Sequence, residues 1–411
     1  MTARPRWLTI LAWALYDFAV TVFAMNVISR YFGLWVTETQ QGADWMYSVA
    51  FALSTSLAAL SLPFLGAYSD RLGRRVPLLR LATLLCVGGT AAIGLSPAVG
   101  WGLVWFGLAN IGCQVGGLFY DALLPTVSHG RRVGFTSGLG VCLGYVGSAT
   151  GLLAVQGVVQ AQGYAAAFLP TAGLILLAAL PSFWLIREPK PPSASPWSLR
   201  AAAQRMWRLV SGPTRRPGIG RFLLGCFFGI NAINTVVMFM AVYAKRTVGL
   251  HDAEIDAVLL FSTAFAIGGA FLSGWLADRV GPRRCLLGVF GGWCAGIILA
   301  AASPTVPMFW VVGPLIGVCL GATWASARTW LVALSPPEDV GAVFGLFGLV
   351  GRASSNVGPL LWGRIVLARD WLGPWTDRLA LGSLLVLFVI GMALLRGIPD
   401  ARVSPSRRVQ R

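Results

Sequence analysis

Gly66-Ala67-Tyr68-Ser69-Asp70-Arg71-Leu72-Gly73-Arg74-Arg75 is a short charged turn between two long apolar segments. A second version, Gly274-Trp275-Leu276-Ala277-Asp278-Arg279-Val280-Gly281-Pro282-Arg283-Arg284, follows in the other half of the chain. Gly66 matches Gly274, Asp70 matches Asp278, Arg71 matches Arg279 and Gly73 matches Gly281. Each copy separates the second and third apolar segments of its half, so the chain reads as a duplicated membrane unit. The spacing has a physical basis. Asp at a helix end can pair with a neighbouring Arg or cap an adjacent helix N-terminus, Gly73 and Gly281 permit a turn with φ > 0, and Arg holds the turn in the cytoplasm.

Composition supports this. Of 411 residues, 56% are hydrophobic and 11% charged, which places the chain among polytopic membrane proteins. A net charge of +17 in a soluble protein would suggest nucleic acid. Here Lys and Arg gather in the loops of one side, so they set orientation and no nucleic-acid partner is expected. The seven Cys lie in or beside apolar segments and read as small hydrophobes, not as a disulfide frame or metal site. His129 and His251 fall in loops. No cofactor is expected.

About 20 apolar residues cross a bilayer. Segments of that length run over 7–30, 45–69, 76–96, 99–122, 134–157, 164–186, 219–243, 254–277, 284–303, 306–329, 341–367 and 376–396. The expected fold is therefore all-α, with twelve transmembrane helices in two six-helix pseudo-repeats. Its parts are a bundle over 1–186, a central loop over 187–218, a second bundle over 219–397 and a tail over 398–411. With the N-terminus cytoplasmic, that side holds most of the Arg, and the other keeps little beyond Arg30, Lys245, Arg246, Arg369 and Arg378. Both termini are then inside, and a bacterial inner membrane is expected. In the central loop, Ser195 and Pro196 suit a helix start. Leu199, Ala203, Met206, Trp207 and Val210 share a face opposite Arg200, Gln204 and Arg208, the pattern of a helix lying on the inner surface. A mere tether between halves fits as well.

The paired turns resemble the signature loop of the major facilitator superfamily of secondary transporters, where it joins helices 2 and 3, recurs between 8 and 9, and gates. Three further stretches narrow the resemblance. They are Trp13-Ala-Leu-Tyr16-Asp17-Phe18-Ala19; Asn110 and Gln114 leading to Phe119-Tyr120-Asp121-Ala-Leu-Leu-Pro125 and Gly144-Tyr145-Val-Gly147; and Gly321-Ala-Thr-Trp-Ala-Ser326-Ala-Arg328 leading to Pro336-Pro337-Glu338, Phe344-Gly345-Leu346-Phe347-Gly348 and Gly351-Arg352. Together they resemble the branch holding the autophagy-related vacuolar amino-acid effluxer and many bacterial proteins. Val20-Thr21 and Asp121 depart from that branch, which has Asn-Ser and Asn there. The resemblance implies a central cavity lined by helices 1, 4, 7 and 10, with 2, 5, 8 and 11 beside it.

An ionised side chain within a span costs roughly 2.5–3.5 kcal/mol on insertion scales, so each needs an explanation. Asp17 lies about 15 Å along its helix. It can bind a substrate cation, carry a coupled proton, or pair structurally with an Arg. Trp13 and Thr21 share its face. Arg352 lies at similar depth, matches Tyr145 by internal repeat, and offers a planar fork for a carboxylate or a clamp between helices. Arg328 lies nearer the cytoplasmic mouth. Asp121 is expected to pair with Arg71 or Arg74 near the gating loop. Asn110, Gln114, Asn231 and Asn234 are polar candidates that membranes also use to join helices, and Asn231 is the stronger ligand candidate. Substrate contact is thus expected of Trp13, Asp17, Asn110, Gln114, Tyr145, Asn231, Arg328 and Arg352. Gating is expected of Asp70, Arg71, Gly73, Arg74, Asp121, Asp278 and Arg279.

The leading expectation is a monomeric secondary transporter of a small solute, an amino acid or similar zwitterion, with protons as the coupling ion. A proton-coupled exporter of amphipathic compounds comes second, and a receptor or scaffold that has kept the fold third. A membrane enzyme finds no support, because no nucleophile elbow, metal-ligand cluster or phosphate loop is present.

Overall fold

The computed structural model describes residues 6–128, 132–188, 198–211, 218–302, 305–355 and 357–398. Ser195, Pro196, His129 and the tail beyond Ile398 lie outside them. Twelve helices are long and apolar enough to cross a membrane: Trp7–Thr39, Asp44–Leu72, Val76–Gly94, Val99–Ser128, Val133–Gln162 and Tyr164–Leu185 are spans 1 to 6; Ile219–Val248, Asp252–Val280, Pro282–Ala302, Val306–Leu334, Val340–Val366 and Thr376–Arg396 are spans 7 to 12. Their outer faces stay apolar. Leu53, Leu57 and Leu60 on span 2 are each more than 60% exposed, a stripe that water would not tolerate and acyl chains would.

Spans 1 and 7 run longer than the hydropathy pattern suggests. Span 1 continues through π-helical turns at Ala24–Tyr31 and Trp35–Thr39. Span 7 does so at Ala244–Val248. Lys245 and Arg246, beyond the expected segment 219–243, therefore sit in the final turns of span 7, and Arg30, at the end of the expected segment 7–30, lies inside span 1. His251 precedes span 8 as its N-cap, where its N–H donates to Glu254 Oε2 at 2.9 Å.

The chain forms two compact units. The first comprises Met1–Arg131, Leu143–Met206 and Pro336–Gly348; the second comprises Arg132–Cys142, Trp207–Ser335 and Leu349–Arg411. Each is a six-span half together with the opening turns of one span from the other half. Within the first unit span 1 packs on span 6, span 3 on spans 4 and 6, and span 2 on span 4. The second repeats this, with span 7 on 12, span 9 on 10 and 12, and span 8 on 10.

The central-loop helix is Leu199–Ser211. It buries Ala202, Met206 and Leu209 and leaves Leu199 and Trp207 well exposed. At 100° per residue Met206 lies between Leu199 and Ala202, at the border where the apolar stripe of Leu199, Ala203, Trp207 and Val210 meets the buried side. The helix is also tied down: Arg205 pairs with Asp339, just before span 11, and reaches the Glu338 carbonyl.

Span 11 is interrupted. Its helix stops at Ala353 and a new one begins at Val357. Sequence reading expects one continuous segment over 341–367.

Candidate functional site

The charged turn of the first unit closes on the start of span 11. Gly73 caps span 2 at φ 61°, the left-handed conformation that favours glycine. Asp70, whose side chain is 4% exposed, accepts hydrogen bonds from the N–H groups of Gly341 at 2.7 Å and Ala342 at 2.8 Å. It also pairs with Arg75 at 2.6 Å. A carboxylate at a helix N-terminus satisfies two orphan donors and opposes the helix dipole. The approach depends on glycine. A Cβ at Gly66 would lie 2.1 Å from the Gly341 carbonyl oxygen.

The second unit repeats the device. Asp278 accepts from the N–H groups of Gly134 and Phe135, both at 2.8 Å, at the start of span 5. A Cβ at Gly274 would meet the Gly134 carbonyl oxygen at 2.3 Å. The copies differ in their cations. Arg283, which matches Arg75, donates to the Arg396 carbonyl instead. The Arg279 guanidinium lies 3.8 Å over the Trp275 ring.

Of the expected gating residues, Asp70, Gly73 and Asp278 meet at these junctions. Arg75, one residue past Arg74, pairs with Asp70. Arg71 and Asp121 are half-buried and Arg74 is exposed. Sequence reading misses Glu188, whose carboxylate accepts from the N–H groups of Arg75 at 2.6 Å and Val76 at 2.8 Å and so caps span 3. It also misses Arg205 and Asp339. No local signal links residues so far apart in the chain.

Asp17 lies inside the first unit and is 5% exposed. A Cβ at Gly144 of span 5 would stand 3.5 Å from its carboxyl carbon. Thr21, one turn on, donates to the Gly144 carbonyl at 2.6 Å and so fastens span 1 to span 5 beside Asp17. This gives the Val20-Thr21 departure a structural role. Trp13 is fully buried, stacks on Tyr120 at 4.2 Å and donates to its carbonyl at 2.8 Å. Tyr16 bonds Thr83 at 2.8 Å. Asn110, fully buried, donates to Ser54 and Thr55 of span 2, and Gln114 donates to Thr55 and Asn110. Trp13 and Asn110 thus act as joints between helices. Gln114 and Tyr145 are half-buried.

In the second unit Asn231 is fully buried and accepts from the Gly358 N–H, at the restart of span 11. Asn234 donates to Ser355 at 3.1 Å. Arg328 is half-buried within span 10, and Arg352 is half-buried in the last turn before the interruption. Among the described residues no group of three or more His, Cys, Asp and Glu is placed to hold a metal ion.

A sequence profile of the Major Facilitator Superfamily matches residues 7–270 and again 222–410. An uncharacterized MFS-type transporter of Bacillus subtilis, YxiO, is 25% identical over 409 residues, covering 95% of this chain and 94% of its own. An uncharacterized protein of Aquifex aeolicus is 30% identical over 357 residues, covering 86% and 88%. The human organic anion transporter MFSD10 superposes with a TM-score of 0.75 at 14% identity, over 96% of this chain and all of that one; at that identity the likeness concerns the fold.

Proposed function

The chain belongs to the Major Facilitator Superfamily, and from that premise we propose that it carries a small zwitterion, an amino acid or close analogue, across the membrane by alternating access. It is a multi-pass integral membrane protein and a secondary transporter, not an enzyme. The observation that carries the proposal is Asp17, an acid 5% exposed about a third of the way along a membrane span, beside Gly144 of span 5. Placing a carboxylate within a span is costly. In the second unit Arg352 offers a planar fork that suits a carboxylate. Asp17 takes the ammonium group or the coupled proton. The Asp70 and Asp278 junctions are the gate elements of this reading, each releasing its helix start when the transporter switches state. A bacterial inner membrane with cytoplasmic termini fits the Arg distribution.

The test is transport in proteoliposomes under an imposed pH gradient, with a panel of radiolabelled amino acids. Accumulation that collapses with a protonophore is the expected result. A panel in which no amino acid moves, with or without the gradient, overturns the reading.

A further inference from the structure

We propose that Arg205 is a positioning residue of the Asp70 gate: through Asp339 it holds the start of span 11 against the charged turn, so the junction opens only when the central-loop helix lets go. The inference rests on the transport reading, because a gate has meaning only in a transporter.

Asp70 has two partners, and a further side chain holds each of them. One partner is the start of span 11, whose Gly341 and Ala342 N–H groups meet the Asp70 carboxylate. Two residues before Gly341 stands Asp339. Its carboxylate pairs with Arg205, and the same guanidinium reaches the Glu338 carbonyl at 3.4 Å. The other partner is Arg75. Its backbone N–H donates to Glu188 at 2.6 Å. All of these residues lie in the first compact unit.

The burial of Asp339 gives the Arg205 pair its weight. The Asp339 side chain is 9% exposed, and a carboxylate that dry is costly once its cation is removed. Asp339 is also built into the helix start. Its N–H donates to the Pro336 carbonyl at 3.0 Å, and its own carbonyl accepts from the Val343 N–H at 2.9 Å. A side chain that fixes Asp339 therefore fixes the backbone leading into Gly341.

The central-loop helix presents Arg205 for this contact. Ser198 caps the helix, its Oγ accepting from the Ala201 N–H at 3.1 Å. Ala202 and Met206 are buried and hold one face to the protein. Arg205 stands about 40° around the axis from the buried Leu209, at the edge of that face. Its planar fork grips a carboxylate and a carbonyl together, which the single ammonium of Lys does less well.

The second unit shows what the brace adds. Aligning Gly134 with Gly341 puts Arg132 at the position of Asp339, and Arg132 is exposed. It attracts the Asp278 carboxylate from its own helix start. A cation there leaves no buried acid for another helix to neutralise. The Asp70 junction alone is tied to the central-loop helix, so the two junctions are not released by the same event.

Hydrogen exchange, read by mass spectrometry on the full-length protein in detergent, tests this without any substrate. In Arg205→Gln the amides of 338–346 should exchange roughly three- to fivefold faster, the scale of a lost half-exposed ion pair. Exchange at Gly134 and Phe135 and the thermal transition should stay as in the wild type. Arg205→Lys should recover part of the protection. Asp339→Asn should loosen the same segment, and adding Arg205→Gln to it should change little more, since the two act as one pair. In proteoliposomes, counterflow of the amino acid that the transport panel identifies should gain maximal rate in Arg205→Gln at an unchanged half-saturation constant. Weakening a closed junction alters switching and not substrate contact. Unchanged exchange of 338–346 overturns the proposal, as does faster exchange spread evenly over all spans, which would make Arg205 a general support. A loosened 338–346 with an unchanged counterflow rate overturns the gating role as well. If no amino acid moves, the zwitterion reading falls, and the exchange pattern by itself decides for or against the brace.

Discussion

The carboxylate of Asp70 bridges the N–H groups of Gly341 and Ala342, at 2.7 and 2.8 Å, and Asp278 bridges those of Gly134 and Phe135 in the same way. The first acid is almost fully buried and shared with Arg75, whereas the second is exposed and the Arg matching Arg75 is engaged elsewhere. Duplication preserved the backbone geometry but not the electrostatic setting.

Asp70→Asn should therefore cost more than Asp278→Asn. The amide keeps one acceptor for the helix start, but loses the second and leaves Arg75 without its anion. A loss of about 1–3 kcal/mol is expected at Asp70, the range for a hydrogen bond to a charged, buried group, and less at the solvated Asp278. Thermal unfolding of the two single variants in detergent checks the order. Equal shifts would mean that burial and Arg75 contribute nothing.

The same junctions predict a glycine pattern. Gly66→Ala and Gly274→Ala press a methyl onto a carbonyl oxygen of the facing helix, and overpacking against backbone costs about 1–3 kcal/mol. Gly88, also helical, has nothing within 4 Å of its would-be Cβ. Gly88→Ala should be neutral or stabilising by about 0.5–1 kcal/mol, through helix propensity alone. Melting temperatures of the three variants test the pattern, and a destabilising Gly88→Ala would break it.

The central-loop helix separates burial from surface chemistry. Met206→Glu places a charge on a buried face and should lower stability by on the order of 2–3 kcal/mol. Trp207→Glu, one residue on and 71% exposed, should change stability by no more than about 0.5 kcal/mol. If the Trp207 stripe rests on the membrane surface, an environment-sensitive dye at Ala203 will shift to a more polar emission in liposomes carrying Trp207→Glu. An emission unchanged by the substitution would place the stripe in water.

Much of this architecture was legible because membrane folds announce themselves through composition. Twelve apolar runs and two copies of one charged turn sufficed for the spans and their duplication. What stayed hidden has specific causes. The Arg75–Asp70 pair and the Asp70 caps depend on which of three clustered Arg faces the acid and on a helix start some 270 positions away. Nothing local encodes either. Met206 lies at the border of the apolar stripe, and only tertiary packing decides that a border residue is buried. The interruption of span 11 was masked by Gly351, Gly358 and Pro359, which in a membrane helix are common enough to be read as packing residues. Trp13 and Asn110 carried the polar atoms expected of ligands. Their bonds to Tyr120, Ser54 and Thr55 show those atoms joining helices.

Asp17 gives the sharpest functional prediction. It is buried within the first unit, against span 5 at the level of Gly144 and one turn from the Thr21 bond that holds the two helices together. Asp17→Asn preserves shape and leaves the Thr21 contact untouched, so folding should survive, with a thermal transition close to wild type. If Asp17 receives the ammonium group, losing the charge removes a charge-assisted hydrogen bond. Amino-acid affinity should then fall by about 1.5–3 kcal/mol, or roughly ten- to a hundredfold. If it carries the coupled proton instead, the neutral amide mimics the protonated state. Exchange of labelled for unlabelled amino acid should persist, while accumulation driven by the pH gradient disappears. Equilibrium binding, counterflow exchange and gradient-driven uptake on the one variant separate these roles, since the first predicts loss in all three and the second loss only in the last. A variant that melts far below wild type would instead assign Asp17 to a structural ion pair.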